Sequence, residues 1–336
     1  MRRFLLSAVS LIAAPVCAQD APPPAASEAE DGAFELGKIV VTGYRSADAA
    51  IEGDRVGQEA IYRFDRRTLD DAANLIPGVV AGNSGGSRNE RLLFVRGFDR
   101  FQVPLSIDGI RVYLPADNRL DYSRFLTPDI AEIQVAKGYA SVLDGPGGMG
   151  GAVNLVTRRP VKALEIEGRA QVNLDSDLDY GGFTGFGLVG TRQDKWYAQA
   201  SYGINITDHW DLPGDFTPIA NEDGGARDFS KARDWRVNAK VGFTPNETDE
   251  YVLSYTRQEG RKNAPLHVTD TSNVSLRNWK WPEWNIESVY FLSTTQFDER
   301  ATLKTRAYYN RLANLLQSFD DRTQTTQILN RAFDSP

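Results

Sequence analysis

The chain has 336 residues, with 45 acidic against 38 basic side chains and a net charge of −7. That balance argues against a nucleic-acid partner, since neutralising phosphates needs a basic surface. The longest uncharged stretch, residues 4–19, is short of the roughly 20 apolar residues of a transmembrane helix; a membrane β-barrel stays open, because alternating strands average to a polar composition.

The N-terminus reads as an export signal. Arg2 and Arg3 precede an apolar core at residues 4–14, and Val16-Cys17-Ala18 supplies the small residues before a cut that leaves Gln19 first. A lipoprotein cut at Cys17 fits less well, because Val16 is bulky for that site. Loss of residues 1–18 removes the single cysteine and takes the net charge to −9. With one Cys, two Met and two His in the whole chain, no resident metal or cofactor is expected.

Residues 19–45 read as a tether. Pro22, Pro23 and Pro24 are followed by Glu28, Glu30, Asp31 and Glu35, too little apolar area to offset the entropy of ordering. The tether carries Lys38, Ile39, Val40, Val41, Thr42, Gly43 and Tyr44. This β-prone segment is either the first strand of the next domain or a peptide that adds to a partner's sheet edge through main-chain bonds.

Residues 46–160 have the pattern of a compact α+β domain. Thr68 and Asp71 resemble a capping box, Leu69, Ala72, Ala73 and Ile76 form a helical stripe, and Pro77-Gly78 ends it. Strands are expected at residues 92–95, 103–107, 110–113, 133–137 and 152–157, with Asp108-Gly109 as a hairpin turn and Pro128 opening a short helix.

Residues 161–336 change to long alternating strands. Leu164, Ile166, Gly168, Ala170, Val172 and Leu174 share one face, and the same pattern recurs from Trp196 and from Trp235. Less regular strands are expected at 183–189, 251–257, 286–297 and 301–310. Short connections at 192–195, 246–249 and 298–300 alternate with long ones at 208–231 and 260–283. Alternation with one-sided long loops is the signature of an outer-membrane barrel; a soluble sandwich explains the first and not the second.

The chain resembles the TonB-dependent outer-membrane receptors of the siderophore-receptor type. The resemblance rests on Lys38–Tyr44, which is similar to a TonB box, on Asn74-Leu75-Ile76-Pro77-Gly78-Val79, Phe94-Val95-Arg96-Gly97-Phe98 and Ile107-Asp108-Gly109, and on the run from Ile133 through Gly145-Pro146 to Gly150-Gly151-Ala152-Val153-Asn154 and Pro160. Ala136-Lys137-Gly138-Tyr139 departs from the family's usual Arg-Gly-Pro element. The resemblance implies a mainly β protein: an α+β plug followed by the first antiparallel strands of a transmembrane β-barrel. It implies active import across the Gram-negative outer membrane, energised by TonB and its inner-membrane complex, with outer-membrane lipid around the barrel. The expected ligand is a ferric siderophore; haem, cobalamin and saccharides stay open, as does a surface binder that never transports. It assigns structural roles in the plug to Pro77, Gly78, Arg96, Gly97, Asp108, Gly109, Gly145, Gly150, Gly151 and Asn154, with Arg96 anchoring the plug to carboxylates in the lumen.

Rival motifs fail on context. Gly145-x-Gly147-x-x-Gly150 fits a dinucleotide fingerprint, but a β-patterned run follows where a helix is needed. Gly82-Asn83-Ser84-Gly85-Gly86 fits a nucleophile elbow with no histidine in reach, since His209 and His267 fall in the long loops. Asn173, Asp175, Asp177 and Asp179 offer oxygen ligands for Ca²⁺ but read better as solvated charge at a hairpin tip. Trp196, Tyr197, Trp210 and Trp284 read as an interfacial girdle, while Trp279 and Trp281, in a loop, suit a stacking platform. With no acid–base pair at credible spacing, the chain is not expected to be an enzyme.

An anionic chelate favours Arg and aromatic contacts, so Arg88, Arg100, Phe101, Tyr113 and Arg119, on plug loops facing outward, are the expected ligand contacts; plug–barrel packing is the alternative for each. The 19 residues from Gln19 to Gly37 are too few for a signalling domain. Seven strand candidates at about 25 residues each fall far short of a plugged barrel of 22 strands. The chain is therefore expected to be an N-terminal portion that does not insert alone, a plug beside a partial curved sheet.

Overall fold

The computed structural model describes residues 51–52, 54–84, 88–114, 118–138, 146–270, 276–298 and 301–335. The expected leader (residues 1–18), the expected tether with Lys38–Tyr44, and Gly145 lie outside the described residues.

The first half is built around a mixed sheet. In chain order come β1 (Ile51–Glu52), β2 (Arg55–Gly57), α1 (Gln58–Arg63), α2 (Leu69–Ala73), β3 (Val79–Asn83), β4 (Arg91–Val95), β5 (Leu105–Ile107), β6 (Ile110–Val112), β7 (Ile130–Lys137) and β8 (Gly151–Thr157). The sheet order is β1-β2-β7-β8-β5-β6, with β3 and β4 paired as a separate ribbon. All pairs are antiparallel except β5 with β8. The helical stripe Leu69, Ala72, Ala73 and Ile76 is buried together with Val95, Leu105, Phe125, Ile133, Val135, Val153 and Leu155. Asp108 and Gly109 take φ of 49° and 75°, the left-handed pair that a two-residue hairpin matched to strand twist requires, and Ile107 faces Ile110 across it.

Two local expectations are corrected. Thr68 precedes α2 but makes no side-chain cap; its hydroxyl donates to Asp70 Oδ1 at 2.7 Å instead, because Asp70 is buried and needs a donor. Pro128 opens a turn, not a helix. The Ile130 amide bonds back to Thr127 at 2.9 Å and the Asp129 carbonyl accepts the Arg158 amide at 2.9 Å, which commits the backbone to β7.

The second half is one antiparallel meander: β9 (Glu165–Leu174), β10 (Tyr180–Arg192), β11 (Trp196–Thr207), β12 (Ala232–Phe243), β13 (Glu250–Asn263), β14 (Asn278–Gln296), β15 (Thr302–Phe319) and the short β16 (Phe333–Ser335). Turns at 193–195, 244–249 and 297–301 lie at one end; connections at 175–179, 208–231, 264–277 and 320–332 lie at the other. Strands β13 to β15 run further toward the long-loop end than their apolar alternation predicts. Outward positions there are charged, as at Arg257, Glu259 and Arg261, yet the hydrogen-bond ladder continues. Trp279 and Trp281 consequently sit in β14 and not in a loop. Pro282 beside them is accommodated at a register shift between Lys280 and Glu283, where a missing amide costs no ladder bond.

The meander is inverted relative to a soluble protein. Along β11, β12 and β13 the side facing away from the plug exposes Trp196, Tyr202, Val241, Phe243 and Leu253, while Gln199, Ser201, Arg236, Asn238, Lys240, Ser254, Thr256 and Gln258 are buried. A soluble sheet places its apolar stripe inside. An apolar exterior over a polar interior suits strands facing lipid outside and a plug inside.

Candidate functional site

The joint between plug and wall is electrostatic. On the inner face of β12 and β13, from the long-loop end down, stand Lys262, Asp234, Arg236, Lys240 and Glu250, in the order fixed by the register that pairs Ala232 with Lys262 and Phe243 with Tyr251. The plug answers each with the opposite sign. Asp121 meets Lys262, Arg124 meets Asp234 at 3.0 Å, Asp129 meets Arg236 at 3.4 Å, Asp108 meets Lys240 at 3.0 Å and Arg159 meets Glu250 at 2.6 Å. The levels span twelve residues of strand, roughly 40 Å at 3.4 Å per residue. All ten side chains are largely buried, so each charge depends on its partner.

Asp108 is the most heavily engaged of the five. Its carboxylate takes Lys240 Nζ at 3.0 Å, the Thr157 amide at 2.8 Å, the Thr157 hydroxyl at 2.5 Å and the Tyr290 hydroxyl. Burial alone would raise its pKa; Lys240 and the bonds from Thr157 and Tyr290 outweigh that and hold it well below the carboxylate range. Asp121 is lowered likewise, burial being overcome by Lys262 and Arg124. Asp129 goes the other way, pushed up by burial, because Arg236 approaches it without a hydrogen bond.

Apolar contacts complete the joint. Trp284 of β14 joins the plug's own core cluster, edge-on to Phe125 at 5.5 Å between centroids, with the Arg124 guanidinium 5.0 Å above its ring. A methyl group on Gly260 would fall 2.0 Å from Asp234 Oδ1 and 2.1 Å from Arg124 Nη2, so glycine is needed for that pair to form. At the long-loop end the Arg88 guanidinium lies 5.8 and 5.7 Å from the Trp279 and Trp281 rings. Lys262 and Arg277 are 5.1 and 4.8 Å from Trp281 and Trp279. Together these make a cationic, aromatic patch beside the plug's loops.

The residues named from sequence fall in three places. Arg88, Phe101, Tyr113 and Arg119 are exposed or half-buried at the loops. Arg100 is buried: its guanidinium donates twice to Glu90 Oε2 at 3.0 Å and to the Leu120 carbonyl at 2.8 Å, which ties two plug loops together. Pro77-Gly78 turns α2 into β3, and Arg96-Gly97 ends β4 in a tight turn with both φ positive. Gly150 packs against the Phe98 ring. Asn154 accepts the Gly109 amide at 3.0 Å and donates to Gln134 at 3.1 Å. Among the described residues Arg96 forms no ion pair and is exposed, so the anchoring to lumen carboxylates falls to Arg124 and Arg159 instead. Tyr197, expected in an outer girdle, points inward and donates to Glu250 at 2.7 Å. Its neighbour Trp196 carries the outward position.

A compact plug seated on the polar face of an outwardly apolar antiparallel sheet has the layout of a plug against a β-barrel wall. Residues 45–152 match the family model of the TonB-dependent receptor plug domain. The fold is similar to that of the copper transporter OprC (17% identity, 76% of this chain and 36% of that one, TM-score 0.59). It is also similar to the FrpB iron transporter of Neisseria meningitidis (19%, 81% and 42%, TM-score 0.59) and to the ferric yersiniabactin uptake receptor FyuA of Yersinia pestis (14%, 81% and 46%, TM-score 0.51). The chain spans less than half the length of each of these three proteins. The family match covers residues 45–152, the plug domain, and the solved structures share the fold of plug and adjoining strands.

Proposed function

We propose that this chain serves TonB-dependent import of a ferric siderophore across the Gram-negative outer membrane, reached by export on the residue 1–18 leader. The observation that carries the reading is the plug, held against the wall by five buried pairs of opposite charge. An outer membrane has neither ATP nor a useful ion gradient, so work on such a plug must arrive through a protein contact. Lys38–Tyr44 is the segment for that contact: TonB adds to it as a strand, and tension along the chain then displaces part of the plug.

The cargo reading rests on the long-loop end. Arg88, set against Trp279 and Trp281, with Phe101, Tyr113 and Arg119 on adjoining plug loops, offers positive charge and ring faces to an anionic, aromatic iron chelate. Arg100 serves by holding Glu90 and through it Arg88, which bonds Glu90 Oε1 at 2.6 Å. Copper, iron and ferric yersiniabactin name the cargoes of three proteins of this fold, which supports a metal-bearing ligand over a saccharide.

Val41→Pro removes a ladder donor from the TonB segment. It should abolish uptake and leave surface binding intact; normal uptake would defeat the import reading and favour a static binder. Arg88→Ala with Arg119→Ala should weaken binding of an anionic chelate while the plug still folds. A deletion strain grown on single iron sources, haem among them, with cobalamin uptake measured separately, identifies the cargo.

A further inference from the structure

We propose that Asp175, His209 and Asp211 form a binding site for a divalent cation of the zinc class, which clamps the β9–β10 hairpin tip to the 208–231 loop. The site is separate from the cargo patch and does not depend on the import reading.

His209 Nε2 lies 3.2 Å from Asp175 Oδ2 and 3.6 Å from Asp211 Oδ1, and the three donor atoms all fall within 4.8 Å of one another. Metal–ligand bonds of about 2.0–2.1 Å in a tetrahedron put donors about 3.3–3.4 Å apart, close to these separations. One imidazole nitrogen with two carboxylate oxygens suits zinc and its neighbours and leaves a fourth position to solvent; calcium takes six to eight oxygens.

Every other polar atom of the three side chains is already engaged. Asp175 Oδ1 accepts the Asp177 and Asp179 amides at 3.0 and 2.7 Å, which leaves Oδ2 to face His209 Nε2, the contact a bridging cation would replace. Asp211 Oδ2 accepts the Ser176 amide at 2.8 Å and hydroxyl at 3.1 Å, which leaves Oδ1. His209 Nδ1 faces Asp208 Oδ2 at 3.3 Å, and Asp208 is in turn bonded by Lys231. A carboxylate behind the ligating imidazole fixes the tautomer that turns Nε2 toward a metal.

Charge supplies an independent reason. Asp175, Asp208 and Asp211 bring three negative charges and Lys231 one positive, so the cluster is short by two. A proton on His209 would supply one; a dication supplies both. The second carboxylate group of these loops, Glu222, Asp223 and Asp228, is different, because Arg227 already faces Glu222 and Arg322 faces Asp228.

The test is zinc binding by the full chain, refolded in detergent micelles and stripped with a chelator. Calorimetry should show one zinc site in the parent chain. His209→Ala should remove it, and Asp208→Asn should weaken it about 10- to 100-fold, as for other outer partners of metal-bound histidine. Asp228→Asn should bind as the parent does. Should His209→Ala lose its strand signal in circular dichroism, Asp211→Asn decides, since its amide oxygen can still accept from Ser176. X-ray absorption at the zinc edge should report one nitrogen and two carboxylate ligands. No zinc uptake at millimolar concentration, or uptake undiminished in a folded His209→Ala or Asp211→Asn chain, overturns the site.

Discussion

Replacing Asp108 with Asn keeps the shape of the β5–β6 turn and removes one charge, and its effect can be worked from the contacts. Lys240 loses its counter-ion inside a joint where both side chains are under a tenth exposed. Stranding one partner of a buried pair costs about 3–5 kcal/mol, and about 1.4 kcal/mol is a factor of ten. Opening of the plug from the wall should therefore become a hundred- to several-thousandfold more frequent, as a local event that leaves the wall folded. Hydrogen exchange of the β5 and β8 amides reads it. Adding Lys240→Met removes the stranded charge, and the double variant should recover most of the protection, since a buried pair exchanged for apolar groups is often neutral. The pH dependence has a definite sign. The folded pKa of Asp108 lies below its unfolded value of about 3.9. Its contribution is thus complete above that value and lost only as pH falls through the folded one. Protection of β8 unchanged in Asp108→Asn would refute the claim that this pair seats the plug.

Asp70 behaves oppositely: burial pushes its pKa up to about 6, so its contribution is full at low pH and lost as pH rises through that value. Asp70→Asn should stabilise the plug by about 3 kcal/mol at most near pH 7.5 and not at all near pH 4; an equal gain in melting temperature at both would refute this. Gly260→Ala should unseat Arg124 from Asp234, raising exchange in the adjoining 3-10 turn Tyr122–Arg124, and normal exchange there would show the close approach to be unimportant. Leu253→Arg places a charge on the exposed apolar face and should cost about 2–4 kcal/mol in bilayer stability if it lies near the midplane. Unfolding from lipid vesicles at an unchanged denaturant midpoint would count against a lipid-facing exterior.

How much could be read in advance differs by residue. The β5–β6 hairpin was legible because Asp108-Gly109 dictates its own turn, and the strands β9 to β13 because one face must be apolar all along. The destiny of the Asp108 carboxylate was not, since its partners Lys240 and Tyr290 lie 132 and 182 positions away and no local pattern joins them. Trp279 and Trp281 were misplaced because proline and charge near Lys280 imitate a loop, whereas a register shift keeps the ladder intact. Arg100 showed only its residue type; Glu90 and Leu120, which engage it, are brought close by the plug's tertiary fold. Thr68 had cap chemistry in reach, but a buried neighbouring carboxylate took its hydroxyl.

The order of signs on β12 and β13 has a mechanical meaning. Moving the plug two residues, about 7 Å, toward the short-turn end would bring Asp121 to Asp234 and Arg124 to Arg236. Moving it as far the other way would bring Arg124 to Lys262 and Asp129 to Asp234. Either slide replaces attraction by repulsion at two levels, so the sequence of charges acts as a vernier that permits one seating depth. Force applied along the axis would therefore be resisted by the whole column at once, whereas force applied across it meets one pair at a time. A plug mounted this way leaves its wall by peeling.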